Sequence, residues 1–341
     1  DMKSHGRSRV LALDALVAIV APSNPVKAVT APDLAQIFSG KLANWSDIGG
    51  PDAPISLHLR TSNSGVGQAV EDRLLAPVRL GLAKDIIRHT TSRDLARAVV
   101  ADPFARGITS LSQTGNAQAL TLTGACNFSL NATRRSVKTE DYPLTAPMFL
   151  YLPARRLPKL AREFLGFMRT PSAQLVIRRA GFVDQAPEEI QINDQGDRLA
   201  NAISLAGDEV SLGELQRMVF VMKPTKRIST TFRFETGSIK LDAQSRSNVQ
   251  QLANALEAGQ YDTRRLVFVG FSDGDGLAEG NRKIALRRAN TVLKAVIAAA
   301  ETANLDRITL EVDAFGEAMP MACDDSNWGR QVNRRVEVWV E

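Results

Sequence analysis

The chain has 341 residues, of which 44% are hydrophobic and 23% charged, a composition typical of a soluble globular protein with room for two domains. No apolar run approaches the ~18 residues that a membrane span requires, so no transmembrane segment is predicted. The net charge of +5 favours acidic partners or merely serves solubility, but the scattered basic residues and only three Trp and three Tyr argue against nucleic-acid binding.

The N-terminal part of the chain alternates between strand and helix patterns. Residues 1–10 are polar and lack the apolar stretch of a signal peptide, which indicates a cytoplasmic protein or an exported one whose signal peptide has been removed. Thr30 and Gly40 bound a short predicted helix as its N-cap and its stop. Further strands are predicted at 9–21, 54–60, 106–111 and 146–152, and further helices at 92–101 and 158–169. This alternation predicts an α/β domain, assigned to residues 1–187.

The composition changes where this domain ends. Residues 184–197 are rich in Pro, Gln and Asp and have little periodicity, which is typical of a linker. Two helices are predicted next, at 197–205 and 211–222, and the second begins with a capping-box spacing. We assign residues 188–228 to a linker with helices.

The C-terminal part, residues 229–341, predicts an α+β domain. Its order is β-α-β-α-β-β, and we expect its helices to cover one face of the sheet. The strands are predicted at 229–235, 265–271, 307–315 and 334–340, and the helices at 242–257 and 279–300.

The reactive residue types form no catalytic or metal-binding pattern. Cys126 and Cys323 have no CxxC spacing and no nearby His, which excludes a zinc site. Whether they pair with each other, pair elsewhere or stay free is open. His5, His58 and His89 are isolated, and we expect surface or packed roles for them. There is no Ser-His-Asp set and no motif-paired carboxylates, so we predict no enzyme, no catalytic residues, no metal and no cofactor.

Five blocks in the C-terminal part carry a family resemblance: "FRFETGSIKLD", "VGFSDGDG", "NRKIALRRAN", "FGEAMP" and "NRRVEVWV". In this order they resemble the C-terminal peptidoglycan-binding domain of the outer membrane protein A family. The resemblance implies that Asp273 and Arg288 hold the diaminopimelate of the peptide stem, with Asn281 at the family's helix-entry position. The closing block places Asn333, Arg334 and Arg335 at the family's NRR positions.

The roles of Asp273 and Arg288 can also be argued from their chemistry alone, without the family resemblance. A zwitterionic amino-acid end offers an ammonium, which Asp273 can accept from, and a carboxylate, onto which Arg288 can fork two N–H bonds. The alternative is that the two side chains simply pair with each other. The family's His-Thr before the Asp is Phe271-Ser272 here, so one polar side chain at the pocket rim is lost.

The N-terminal part also carries a resemblance, through "LDALVAIVAPSNPV", "LAQIFSGKLANWSDIGG", "ISLHLRTSNSGV", "DYPLTAPMFLYL" and "FLGFMRTPSAQLVIRRAGFV". These blocks resemble the phosphate-binding proteins of ABC importers, which have a type 2 periplasmic-binding-protein fold. The resemblance implies that Arg60, Ser64 and Gly65 grip an oxyanion at a helix N-terminus. The alternative is an ordinary strand-to-helix turn with a surface arginine.

The second resemblance is incomplete. The family's Asp after the Arg is Ser62 and its Thr after the Gly is Val66, which cannot donate a hydrogen bond. We expect the opening β-α units of the first lobe to be missing from this chain, because the polypeptide was cut or expressed in part, or because the domain is a degenerate half.

These resemblances together predict a non-enzymatic protein of the periplasm or cell envelope. Association with the outer membrane is one option within this prediction. Its predicted partners are peptidoglycan and a phosphate or other small anion. The alternative function is capture of phosphate or another oxyanion for a transporter or sensor.

Overall fold

The computed structural model describes residues 7–126, 128–235 and 237–341. His5 and Thr236, both within sequence blocks discussed above, lie outside the described residues. The strands are β1 (Arg7–Val20), β2 (Ala28–Thr30), β3 (Ser56–Arg60), β4 (Ile86–His89), β5 (Ala105–Ser110), β6 (Gln118–Ala119), β7 (Thr121–Thr123), β8 (Thr145–Leu152), β9 (Glu189–Ile190), β10 (Lys226–Phe232), β11 (Arg265–Phe271), β12 (Thr309–Gly316) and β13 (Arg335–Val340). The helices are α1 (Ala31–Phe38), α2 (Gly65–Ala69), α3 (Ser92–Ala101), α4 (Arg134–Lys138), α5 (Lys159–Phe167), α6 (Pro171–Arg179), α7 (Gly196–Ser204), α8 (Leu212–Met222), α9 (Ala243–Glu257), α10 (Ala278–Ala299) and α11 (Asn327–Asn333).

The N-terminal domain is built around the long strand β1. Its second half lies in a mixed sheet of order β4-β3-β5-β1-β6, in which β3 is parallel to β4 and β5. Its first half pairs antiparallel with β8. The run Val17–Val20 is at most 1% exposed, so this apolar strand forms the centre of the core. The carboxyl ends of β3, β4 and β5 therefore meet at one edge of the sheet.

Local signals set the helix ends as predicted. The Thr30 side chain accepts a hydrogen bond from the Asp33 N–H at 3.1 Å, and Pro32 occupies the first turn of α1. Gly40 follows the helix with φ +79°, a conformation that favours glycine. The predicted α1 is therefore confirmed, within a residue or two at its ends.

The C-terminal domain has a five-stranded sheet of order β12-β11-β13-β10-β9. β11 is parallel to β12 and antiparallel to β13, while β13 and β9 both pair antiparallel with β10. Helices α9 and α10 cover one face, where Leu252 and Val292 pack among residues such as Phe268. The predicted fold class, α/β plus α+β, is confirmed.

The prediction that helices cover only one face of this sheet is wrong. Helices α7 and α8 cover the opposite face, with Met218 and Met222 packed against Val269 and Trp339. The physical reason is visible in β11, whose sequence RLVFVGF is apolar from its second residue onward rather than alternating, as in strands buried on both faces. The helices that we assigned to a linker thus complete the C-terminal core.

The two domains are joined by a disulfide and by buried polar contacts. Cys126 and Cys323, 197 residues apart, are bonded to each other. Trp328 of α11 packs into the N-terminal core and donates its indole N–H to the Arg73 carbonyl at 2.7 Å. Arg227 of β10 donates to both carboxylate oxygens of Asp141, at 2.6 and 3.0 Å. Among the described residues, no helix is long and apolar enough to cross a membrane.

Candidate functional site

The edge of the C-terminal sheet gathers charged side chains from three strands. β11 and β12 are parallel and aligned so that Phe271 lies opposite Gly316. Asp273 and Glu317, which follow these residues in the sequence, are therefore brought to the same edge. β13 begins at this edge, with Arg335 opposite Phe271, and so brings Arg334 there as well.

Helix α10 packs closely over β11 and places Arg288 near Asp273 and Arg334. A Cβ on Gly270 would lie 2.2 Å from the Ala285 carbonyl oxygen, so only glycine permits this approach. Arg288 is one turn beyond Ala285, on the buried face of α10, and is 5% exposed. The predicted Asn281 is on this buried face too, in the first turns of the helix.

The guanidinium of Arg288 has weak protein partners. Its carbon lies 5.2 Å from the ring centroid of Phe234, and Nη2 is 3.5 Å from the Ser238 carbonyl oxygen. Its Nε is buried without a hydrogen-bond partner among the described residues. Burial lowers the pKa of Arg288 and the nearby positive charge of Arg334 lowers it further, while Asp273 acts in the opposite direction. An incoming carboxylate would therefore relieve a poorly compensated cation.

Asp273 is bonded to a different arginine. Its Oδ2 accepts from Arg334 Nη1 at 2.6 Å, and Asp273 is 8% exposed. In the described part of the chain, no ion pair joins Asp273 to Arg288, so the alternative of mutual pairing is not what the structure shows. The charges of Asp273 and Arg334 both act on Arg288, so the three side chains lie near one another, and Asp273 is paired with Arg334 rather than with Arg288.

The side chains of Asn281 and of the closing NRR block are mostly engaged in contacts within the protein. The Asn281 side-chain amide donates to Glu317 Oε2 at 2.5 Å. Asn333 is fully buried and its Oδ1 accepts from the backbone N–H groups of Met321 and Ala322. Arg335 is also fully buried, with its Nε 2.6 Å from Glu337. Of the three NRR residues, Arg334 is the one that pairs with Asp273.

Sequence reasoning missed two further carboxyl groups close to Asp273, those of Glu317 and Asp324. Burial raises the pKa of Glu317, and the charges of Glu209, Asp324 and Asp273 raise it further, against the hydrogen bond from Asn281. Asp324 accepts the Gly274 N–H at 2.7 Å. The positions after β12 could have indicated Glu317, because parallel strands end at one edge; nothing local indicates Asp324.

The N-terminal candidate site is only partly assembled as predicted. Arg60 ends β3, and its Nη1 donates to the hydroxyl of Ser92 at 3.1 Å, at the start of α3. Its Nε is buried without a partner among the described residues. Ser92 was not predicted as a site residue, although its place at the start of a predicted helix beside this sheet edge could have indicated it.

The Ser64 hydroxyl is already committed to its own turn. It accepts the Gly67 N–H at 3.0 Å as the N-cap of α2 and donates its hydrogen to the Thr61 carbonyl at 2.7 Å. Gly65 has open space where a Cβ would be. Ser64 therefore holds the turn in shape, and Arg60 with Ser92 supplies the side-chain donors at this edge.

His58 and His89 contact each other on β3 and β4. His58 Nδ1 lies 2.9 Å from His89 Nε2, and the rings are stacked. Burial lowers the pKa of His58, and the charge of His89 lowers it further. Within the described ranges, no group of three or more His, Cys, Asp or Glu side chains could hold a metal ion.

Two family models match separate parts of the chain. Residues 5–172 match the model of the PBP superfamily domain, and residues 233–334 match the OmpA family model. Phosphate-binding protein PstS of Borreliella burgdorferi is 23% identical over 188 residues, which are 54% of this chain and 67% of that protein. Outer membrane porin F of Pseudomonas aeruginosa is 27% identical over 115 residues, 34% of this chain and 31% of that protein.

A solved structure similar to the N-terminal half is an ABC-type phosphate transport receptor from Vibrio cholerae. It is 22% identical, with a TM-score of 0.47, and the match covers 53% of this chain and 73% of the receptor. The chain thus spans about two thirds of the PstS relative and about a third of the porin relative.

Proposed function

Since the chain joins a PBP superfamily domain to an OmpA family domain, we propose that it is a non-enzymatic protein of the periplasm that binds peptidoglycan non-covalently. Its C-terminal domain takes the diaminopimelate of the peptide stem, and it lies in the cell envelope in association with the outer membrane. Asp273 receives the ammonium and Arg288 the carboxylate, with Asn281 beside them.

One observation carries this proposal. Arg288 is 5% exposed and its Nε has no hydrogen-bond partner among the described residues, while the nearby Asp273 is bonded to Arg334. A buried cation without a carboxylate is costly unless a ligand supplies one. The zwitterionic end of diaminopimelate supplies a carboxylate to Arg288 and an ammonium to Asp273.

Retention on purified sacculi tests the proposal. Each charge-assisted hydrogen bond contributes about 1.5–3 kcal/mol, so Asp273→Ala and Arg288→Ala should each weaken binding about 10-fold or more. Arg287→Ala is the matched control, because Arg287 is the adjacent exposed arginine of α10 and its loss changes the net charge equally. Equal retention of Arg288→Ala and Arg287→Ala would contradict the proposed role.

The ligand end is identified by comparing two stem peptides. Lysine lacks the second carboxylate of diaminopimelate, so a lysine-containing stem should lose the contribution of Arg288. We expect Arg288→Ala to reduce the affinity for the diaminopimelate stem and to leave the weak affinity for the lysine stem unchanged.

A second candidate function is capture of phosphate or another oxyanion by the N-terminal domain, for a transporter or a sensor. The observation that favours it is the partly satisfied Arg60, whose Nε is buried without a partner and whose Nη1 meets Ser92 at the sheet edge. Calorimetry with phosphate and sulfate tests this candidate. Heat that disappears in Arg60→Ala but persists in Arg97→Ala, an exposed arginine of α3, would support it; no heat with the intact chain would reject it.

A further inference from the structure

The segment 323–325 lies between the two domains and touches both. On the N-terminal side, Cys323 is bonded to Cys126, and the Cys126 N–H points at Cys323 Sγ at 3.1 Å. The Ala125 N–H donates to the Asp325 carboxylate at 2.6 Å. A Cβ on Gly124 would lie 2.6 Å from Cys323 Sγ, so the contact requires glycine there. The segment is therefore fixed to the N-terminal domain at more than one point.

On the C-terminal side, the same segment holds the turn that follows Asp273. Asp324 Oδ2 accepts the Gly274 N–H at 2.7 Å, and its Oδ1 accepts from Asn333 Nδ2 at 2.7 Å. A Cβ on Gly274 would lie 3.1 Å from Asp324 Oδ2, which is a close approach. Gly274 directly follows Asp273, so this bond constrains the backbone that carries the ligand-binding carboxylate.

Asp324 makes this contact against an electrostatic cost. Burial raises its pKa, and the charge of Asp273 raises it further, although the bonds from Asn333 and Gly274 act in the opposite direction. Two carboxylates held near one another repel, so the position of Asp324 beside Asp273 depends on the groups that hold its segment in place. An external tether that keeps the segment in place is therefore physically useful.

We infer that the disulfide between Cys126 and Cys323 positions the Asp273 turn for its ligand, with Asp324 as the positioning residue that connects them. This inference rests on the proposed peptidoglycan-binding function. A cavity of about 240 Å³ has Cys126 and Asp324 in its lining together with Gly274 and Glu317. The N-terminal domain therefore borders the space beside the C-terminal ligand pocket.

The first test is an affinity measurement on the full chain, with a peptide stem that contains diaminopimelate. Replacing both cysteines by serine should weaken binding about 5–10-fold, within the usual range of coupling between sites. Loss of the disulfide also lowers stability by about 2–5 kcal/mol, so affinities are compared where circular dichroism shows every variant folded.

A double-mutant cycle decides whether Asp324 transmits the effect. Asp324→Ala should weaken binding in the disulfide-bonded chain and have almost no further effect in the double-serine chain, because both changes release the same turn. Additive losses would overturn the inference, as would unchanged affinity of the double-serine chain. Trp328→Phe is the control, since it removes an interdomain hydrogen bond to Arg73 without touching Asp324; it should leave the affinity unchanged.

Amide hydrogen exchange gives a readout that needs no ligand. Without the disulfide, exchange in residues 272–277 should rise beyond the change seen in Trp328→Phe. No difference in that turn overturns the inference even if the chain binds peptidoglycan. Conversely, faster exchange in a chain that never bound sacculi would support the positioning role and contradict the proposed ligand.

Discussion

The interdomain contact and the proposed peptidoglycan site each contain a buried arginine, and the two arginines differ in their charged partners. Arg227 at the contact is 1% exposed, pairs with Asp141 at 2.6 Å and has Glu337 at 3.5 Å. Burial alone would lower the pKa of Arg227, but the charges of Asp141 and Glu337 raise it above its usual value. Arg288 in the pocket is buried almost as deeply, yet its pKa is lowered.

The difference separates a structural arginine from one available to a ligand. A buried guanidinium with carboxylate partners has its charge balanced within the protein, so it adds to the folded state and offers little to a ligand. A guanidinium without them is poised for an anion. For these two arginines, the carboxylate partners, which only the fold reveals, distinguish the two roles better than residue type or burial.

The largest expected effect comes from replacing each arginine by methionine, which keeps most of the side-chain volume. Arg227→Met leaves the buried carboxylate of Asp141 without its arginine partner, so it should lower the free energy of unfolding by about 3–5 kcal/mol. Arg288→Met removes the ion-pair partner of no carboxylate, so it should change the free energy of unfolding by less than about 1 kcal/mol. Urea unfolding of both variants measures the contrast.

The outcome of that experiment can break the comparison. Equal losses in the two variants would mean that Arg288 has structural partners of the same strength as those of Arg227. The sacculus-binding assay completes the contrast, because Arg288→Met should lose retention and any Arg227→Met protein that remains folded should keep it.

The next effect concerns Glu140, a buried carboxyl at the same interdomain contact that is less well balanced than Asp141. Burial raises its pKa to about 7 from 4.5, against the charge of Arg233 and a hydrogen bond from Asn248. The folded protein therefore holds a proton that the unfolded chain has lost between pH 4.5 and 7, and stability falls as the pH rises through that window.

Glu140→Gln should remove this dependence. Gln keeps the carbonyl that accepts from Asn248 and carries no charge, so we expect a gain of about 1–3 kcal/mol at pH 8 and little gain at pH 5. Unfolding free energies of wild type and variant at both pH values check this. A gain that does not change with pH would show that the carboxylate is balanced as well as that of Asp141.

Much of the fold could be predicted because its signals are local. The helix at 92–101 and the strand at 265–271 coincide with α3 and β11, since caps and apolar periodicity lie within each segment. The buried second face of the C-terminal sheet was missed, although the continuous apolar run of β11 indicated it.

The candidate sites were harder to predict because partners come from distant positions. Arg334 is 61 residues from Asp273 and meets it only through the strand order β11-β13. The disulfide spans 197 residues, and neither cysteine has a local motif that would reveal its partner. A serine hydroxyl can donate a hydrogen bond to an anion, but that of Ser64 donates its hydrogen within its own turn.

At the N-terminal candidate site, too, the hydrogen-bond partners of a side chain predict its role, and the expected change in stability is smaller. The Ser64 hydroxyl caps α2, so Ser64→Ala should cost about 1 kcal/mol of stability, as N-cap removals do. The heat of any oxyanion binding should be unaffected, whereas Arg60→Ala should abolish it. Loss of anion binding in Ser64→Ala at full stability would show that the hydroxyl turns toward the ligand instead.

The smallest expected effect concerns His58 and His89, whose rings contact each other. Protonating both rings is unfavourable, because it would place two positive charges side by side. Burial lowers both pKa values from 6.5, and His89 lowers that of His58 further. Below pH 6.5 the unfolded chain therefore binds more protons than the folded one, so this pair costs stability as the pH falls through that point. His58→Gln should flatten the decline between pH 7 and 5 slightly, measured by urea unfolding and best in a Glu140→Gln background. An unchanged slope would mean that a carboxylate such as Asp102 balances the histidine charge, as Asp141 balances Arg227 at the contact.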